Sequence, residues 1–265
     1  MATERPILFL DSGIGGIPYC RHFRQRNPGE SIVYLADRQH FPYGRREKEE
    51  LVEILRALVE RLVRMFNPKI AVIACNTATI AALSELRESF PGLPFVGTVP
   101  AVKPAALTSK TGKIGLLGTE LTIRQPYIRE LAAHFGGGEI VGIAAPELVE
   151  FIENRIHLAS ADEKTKMVRG YLERFRAAGL DTLVLGCTHF LFLLDDFRRE
   201  SSPGITVFDS VEGITHRIEA LDAEAAPPDN RPRGRLILTG TGAPEASWTS
   251  WADSLGFDLS LLEER

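Results

Sequence analysis

The sequence predicts an α/β fold of two similar lobes, each a mainly parallel sheet flanked by helices. The lobes are expected to be related by a pseudo-two-fold, with the active site in the cleft between them. Three observations carry this prediction. Short apolar runs alternate with stretches of helical spacing along most of the chain, as in βαβ units. The alternation starts afresh near residue 113. Finally, Val72-Ile73-Ala74-Cys75-Asn76-Thr77 is echoed 112 residues later by Val184-Leu185-Gly186-Cys187-Thr188-His189. All βα units look somewhat alike, but cysteines at matching strand ends favour a duplication. The expected lobes are 1–97 plus 207–265, and 98–206.

In the first lobe, residues 7–10 form an apolar run suited to a strand buried on both faces. The turn Asp11-Ser12-Gly13-Ile14-Gly15-Gly16 follows. Pro18 then stands where a helix begins, a place that tolerates its missing N–H. Residues 31–36 read as a second strand, with Phe41-Pro42-Tyr43-Gly44 as a loop after it. Leu51, Ile54, Leu55, Leu58, Val59, Leu62, Met65 and Phe66 recur at helical spacing, so 47–66 is the clearest amphipathic helix in the chain. Residues 70–74 are another buried strand ending at Cys75. A short helix follows, Pro91, Gly92 and Pro94 break it, and Phe95-Val96 extend again. In the second lobe, strands are expected at 113–117, 140–143 and 182–185, and helices at 124–135, 146–156 and 161–177. Val207-Phe208-Asp209-Ser210 is expected to return the chain to the first lobe. Residues 223–233 read as an exposed linker.

The bulk composition excludes several classes. Of the 265 residues, 44% are hydrophobic and 25% charged, ordinary values for a globular protein large enough for two cores. A net charge of −4 without a long Lys/Arg block argues against a nucleic-acid-binding tail. No apolar run reaches the ~20 residues of a membrane span, and the N-terminus lacks a signal-peptide layout. Three cysteines do not make a disulfide framework. The expected setting is a reducing cytoplasm, with a small-molecule substrate and neither nucleic acid nor membrane as partner.

In open parallel sheets, ligands sit beyond the carboxyl ends of the strands. Asp11, Ser12, Cys75, Asn76, Thr77, Thr119, Cys187, Thr188 and His189 all fall at such ends. Cys75 and Cys187 each precede an expected helix start, where partial positive charge favours thiolate. A lone cysteine reads as a small buried hydrophobe; two in matched positions read as chemistry. Cys20, in a predicted helix one turn from Phe23, reads as packing. Inverting a carbon with one acidic hydrogen needs a base on one face and an acid on the other, with roles exchanged in reverse. Two like groups suit that task. The Asp11 loop alone is a generic anion-binding turn; it lacks both the P-loop ending and the dinucleotide glycine spacing. Asp11 suits either proton handling beside a thiol or a helix cap. His189 suits protonating an amino group, poising Cys187, or plain structural satisfaction. Glu150, on the helix after Pro146, is by itself a solvated-face residue. Other classes remain open: a hydrolase using Cys187 with His189, which leaves Cys75 idle; an anion-binding protein; and a zinc site at Cys187 and His189.

Taken together, several segments resemble the glutamate racemase family across nearly the whole chain. They are Asp11-Ser12-Gly13-Ile14-Gly15-Gly16, Tyr34-Leu35-Ala36-Asp37 with Pro42-Tyr43-Gly44, Ala74-Cys75-Asn76-Thr77-Ala78, residues 97–101, Leu117-Gly118-Thr119 with Thr122, and Leu185-Gly186-Cys187-Thr188-His189. The resemblance implies interconversion of L- and D-glutamate without pyridoxal phosphate, metal or other cofactor. It implies D-glutamate supply for peptidoglycan, hence cell-wall biogenesis and cell shape, and a homodimer. By motif, Cys75 and Cys187 are similar to the family's two proton donors and acceptors. Asp11 resembles the carboxylate beside the first cysteine, and His189 and Glu150 the helpers beside the second, with Glu147 a competitor for Glu150. Ser12, Tyr43, Gly44, Asn76, Thr77, Thr119 and Thr188, with Asp11 and His189, resemble its substrate contacts. A racemase for aspartate or another acidic amino acid is the nearest rival. The chain departs from the usual pattern at Ile17-Pro18, Arg38, Gln125 and Phe190-Leu191-Phe192.

Overall fold

The computed structural model describes residues 5–223, 225 and 232–262, so most of the expected linker at 223–233 lies outside the described residues. The chain divides into two units. One takes the residues up to Thr98 and those from Val211 onward; the other is Val99–Ser210.

The first unit opens with β1 (Ile7–Asp11), α1 (Ile17–Arg26), β2 (Ile32–Ala36), α2 (Lys48–Phe66), β3 (Ile70–Ile73), α3 (Asn76–Ser89) and β4 (Phe95–Gly97). Every residue of β1, β2 and β3 is buried, which is why these strands read as unbroken apolar runs. α2 places Leu51, Leu55, Leu58, Val59 and Leu62 in the core. Burying each such side chain stabilises by about 1.5–3 kcal/mol. The helix ends at Asn67, whose φ of 44° is left-handed, a conformation Asn tolerates.

The second unit contains α4 (Val102–Thr108), β5 (Lys113–Gly118), α5 (Glu120–Ile123), α6 (Pro126–His134), β6 (Glu139–Ala144), α7 (Pro146–Arg155), α8 (Ala161–Ala177), β7 (Thr182–Gly186), α9 (Leu194–Ser201) and β8 (Thr206–Phe208). A 3₁₀ segment, Thr188–Leu193, leads into α9. The helix expected over 124–135 is α6, which starts at Pro126, with the short α5 ending before it. Gln125 precedes Pro126, and proline excludes the helical region for the residue before it; Gln125 accordingly has ψ 119°. The chain then resumes the first unit with α10 (Val211–Leu221), β9 (Gly234–Leu238), α11 (Ala246–Leu255) and β10 (Phe257–Leu261).

The first sheet has the order β10-β9-β2-β1-β3-β4 and the second β6-β5-β7-β8. Every pairing is parallel. The expectation that Val207-Phe208 returns to the first lobe is corrected. β8 pairs with β7, Leu183 opposite Val207, and ends the second sheet. The first unit therefore resumes at Val211 rather than at residue 207. An apolar run can extend either sheet; the short connection through α9 delivers this one beside the strand just made.

One buried charge cluster ties the resumed segment to the start of the chain. Lys69, just before β3, places Nζ 2.7 Å from Glu30 and 2.9 Å from Asp222, and all three side chains are buried. Burial disfavours the ammonium, but hydrogen bonds to both carboxylates outweigh it and raise the Lys69 pKa. Removing one member of a buried ion cluster leaves uncompensated charge, costing about 3–5 kcal/mol. Lys69→Met is therefore expected to lower the unfolding free energy by about 3 kcal/mol at neutral pH in urea titration. Because the folded pKa is raised, the wild-type contribution is present through neutral pH and fades only above the ordinary lysine range. A variant as stable as wild type would show that the cluster carries no net stabilisation.

Candidate active site

Each unit gathers polar and thiol groups at the carboxyl ends of its central strands. In the first unit, β1 lies between β2 and β3, so Asp11, which ends β1, and Asp37 and Cys75, which follow β2 and β3, come at the ends of three adjacent strands. Asp11 is fully buried, and its Oδ1 accepts from the Gly13 N–H at 2.7 Å, which folds the glycine turn back on the strand end. The Tyr34 hydroxyl donates to the Gly13 carbonyl at 2.9 Å. Gly16 passes so close to the end of β3 that an added Cβ would stand 2.7 Å from the Ala74 Cβ. Glycine is therefore required there sterically. The turn and Cys75 are held as neighbours.

Cys75 is the N-cap of α3, with φ −140° and ψ 122°. Asn76 and Thr77 form the first helical turn and are buried, as is Ser12. Partial positive charge at this helix start faces the sulfur. Beside it, Asp37 is the hub of a buried network. It accepts from the Tyr43 hydroxyl at 2.7 Å and from the Thr239 hydroxyl at 2.6 Å, and it meets His40 Nδ1 at 2.9 Å. Burial, and then the charge and hydrogen bond of Asp37, push the Tyr43 phenol well above its ordinary pKa. Tyr43 therefore stays a hydrogen-bond donor, and its hydroxyl is committed to Asp37. Gly44, the next residue, is exposed. Arg38 bonds the Thr239 carbonyl at 2.9 Å and Glu245 at 3.0 Å, tying the loop to β9 and the segment after it.

In the second unit, β5 and β7 are adjacent and central. Thr119 follows β5 and caps α5, its hydroxyl accepting from the Thr122 N–H at 3.3 Å. Cys187 follows β7 with φ −139° and ψ 136°, nearly the backbone conformation of Cys75, and caps the 3₁₀ segment. Thr188 and His189 are buried next to it. His189 Nδ1 lies 3.9 Å from the Cys187 sulfur, and its Nε2 lies 2.9 Å from Glu153 Oε2. Burial favours the neutral ring, but the bonds to Cys187 and Glu153 outweigh it and raise the His189 pKa well above the ordinary value.

The carboxylate that bonds His189 is thus Glu153 of α7, a residue that sequence reasoning missed. Glu150 is exposed one turn earlier, and Glu147 accepts from the Tyr171 hydroxyl. A helical wheel holds the missing signal. Leu148, Val149, Ile152 and Ile156 define the buried stripe of this helix, and Glu153 borders it while Glu147 and Glu150 face away. Cys20 is buried in α1, and burial drives its thiol far above the ordinary range, as expected of a packing residue. Among the described residues, no group of three or more His, Cys, Asp or Glu is arranged to hold a metal ion. Among the same residues, no helix is long and apolar enough to cross a membrane.

The chain is similar to known proteins in sequence and in fold. The model of the Asp/Glu/hydantoin racemase family matches residues 21–217. The chain belongs to this family and is an amino-acid racemase. Its relatives carry a narrower name. The glutamate racemase of Sphingopyxis alaskensis is 44% identical over 230 residues, 85% of each chain. That of Treponema pallidum is 38% identical over 239 residues, 90% of this chain and 87% of the relative. Among solved structures, Escherichia coli glutamate racemase in complex with L-glutamate and the activator UDP-MurNAc-Ala matches with a TM-score of 0.82 and 30% identity, covering 97% of both chains. Glutamate racemase RacE1 of Bacillus anthracis matches with a TM-score of 0.80 and 29% identity over 98% of this chain and 97% of its own.

The His189 geometry has a direct readout. Its ring should titrate well above a free imidazole in NMR of labelled protein, and Glu153→Gln should bring that titration down. With a raised folded pKa, the stability contributed by this pair is complete below the ordinary imidazole range and is lost as pH rises through the folded value. A ring that titrates at or below its ordinary value would contradict the Cys187–His189–Glu153 arrangement.

Proposed function

We propose that this chain interconverts L- and D-glutamate by taking the Cα proton with one of Cys75 and Cys187 and returning a proton to the opposite face from the other, with no pyridoxal phosphate, metal or other cofactor. The observation that carries the reading is the pair itself. Two cysteines, one per unit, end central parallel strands in nearly the same backbone conformation, each at the start of a helical turn. The relatives' names supply the substrate.

The mechanism asks the two sulfurs to meet opposite faces of one Cα. One thiolate takes the proton, its electron pair forming the S–H bond, and the C–H pair stays on carbon, delocalised into the carboxylate. The opposite thiol then gives its proton to the other face. The enzyme ends with the two sulfur states exchanged, and the reverse reaction restores them. General acid–base help of this kind contributes about 10²–10⁴-fold per group. The rest of the barrier falls to fixed dipoles and exclusion of water. His189, held by Glu153, is the cation that stabilises charge on the Cys187 sulfur, and Asp11 serves the Cys75 side. Glu150, one turn from Glu153 on the exposed face of α7, is assigned only an outer role. Ser12, Asn76, Thr77, Thr119, Thr188 and the Tyr43-Gly44 backbone are assigned to the substrate's carboxylates and amino group. The same reading makes the protein a cytoplasmic homodimer that supplies D-glutamate for peptidoglycan.

Incubation with either glutamate enantiomer in deuterium oxide is expected to place solvent deuterium at Cα and to yield the other enantiomer without added cofactor. Cys75→Ser and Cys187→Ser should each lower kcat by about 10²–10⁴-fold while leaving the circular dichroism spectrum intact. A fully active Cys75→Ser would refute the pairing and favour a single-cysteine reaction. Faster turnover of aspartate would move the substrate assignment.

Glu153→Gln should lower kcat by about tenfold or more, one pKa unit's worth of imidazolium stabilisation. Its activity should also fall away at a lower pH than that of wild type. Glu150→Gln should do neither. Equal losses in the two variants, compared by pH–rate profiles, would reverse the assignment.

A further inference from the structure

Within the second unit, α7 and α8 face each other across an open groove of about 500 Å³, within the range of small-molecule sites. It lies along the edge of the α7 buried stripe away from the one that Glu153 borders. α7 lines it with Glu147, Phe151 and Arg155, spaced four apart along one face. α8 lines it with a stripe that includes Lys166, Gly170, Tyr171 and Arg174.

The carboxylates here are already engaged. Glu147 accepts from the Tyr171 hydroxyl, and Glu163 accepts from Arg155 at 3.1 Å and from the Ser160 cap. The Arg155 guanidinium stands 5.9 Å from the Phe151 ring centre. Lys166 and Arg174, by contrast, have no side-chain hydrogen bond or ion pair among the described residues. They are two helical turns apart, about 12 Å at 1.5 Å per residue.

Gly170 lies midway between them. It is the i+4 neighbour of Lys166 and the i−4 neighbour of Arg174, the slot where a carboxylate would pair with both. Glycine weakens a helix interior, and nothing in this chain demands it at this point. A Cβ at position 170 would meet no atom within 4 Å, and the backbone there is ordinary helix. The bare position keeps the groove open and leaves two cations facing into it beside two aromatic rings.

We propose that this groove binds a small organic anion carrying a flat ring. The ring lies against Phe151 and Tyr171, and its carboxylate or phosphate takes the place between Lys166 and Arg174 that Gly170 leaves vacant. The proposal is independent of the reaction assigned above.

Fluorine-19 NMR with 4-fluorophenyl phosphate and 4-fluorobenzoate tests it on the full chain. At least one anion should bind saturably below about 1 mM, the weak end of specific binding. Which of the two binds assigns phosphate or carboxylate as the natural group. The neutral 4-fluorobenzyl alcohol and ring-free inorganic phosphate should each bind at least about tenfold more weakly. Gly170→Glu, which supplies an internal carboxylate without a packing clash, should weaken binding about tenfold or more, whereas Gly170→Ala should stay within about twofold of wild type. Thermal melts confirm that both variants fold. Binding of the alcohol as tight as that of the anions, or undiminished binding to Gly170→Glu, would overturn the proposal.

Discussion

The parallel pairing of neighbouring central strands is the constraint on which both halves of the chemistry rest. β1 pairs with β3 and β5 with β7 in fixed register, so the residues just past their ends come out side by side. Asp11 is thereby held next to the strand that leads to Cys75, and Thr119 next to the one that leads to Cys187. Parallel strands point all their carboxyl ends one way, and each is followed by a helical start. The backbone alone therefore puts a sulfur, a turn of N–H groups and a hydroxyl or carboxylate in one place.

Around that frame, each unit holds its groups by a different device. The first uses a hydrogen-bond network on one buried carboxylate, with Tyr43, Thr239 and His40 converging on Asp37. Thr239 comes from the far end of the chain, so the loop carrying Tyr43 is braced by a segment two hundred residues away. The second uses a linear relay of Cys187, His189 and Glu153, in which the carboxylate is donated by a neighbouring helix. The backbone geometry of the two cysteines is alike, but their surroundings are not.

Much of this is readable in the residues themselves. Strands buried on both faces announce themselves as apolar runs, so β1, β2, β3, β5 and β7 and the polar residues after them are legible without a structure. Other features are not. Val207-Phe208 has strand character, but which sheet it joins is decided by the connection through α9. β9 and β10 follow a stretch of weak pattern, and the place of β9 beside β2, with β10 beyond it, depends on contacts remote in sequence. Glu153 and Glu150 stand one turn apart and differ only in their angle to the buried stripe, which a helical wheel shows and a short motif match does not. The Asp37 network unites residues 37, 40, 43 and 239, a grouping no local spacing discloses.

The interrupted first unit has a consequence for biosynthesis. Its sheet lacks β9 until residue 238 and β10 until residue 261 has been made, and Lys69 waits for Asp222. The second unit is one continuous stretch whose last strand is complete at Phe208. On a ribosome, where domains fold as they emerge, the inserted half has all its pieces first. The unit split around it is the last to close, and until then it carries an open sheet edge of the kind that invites mispairing.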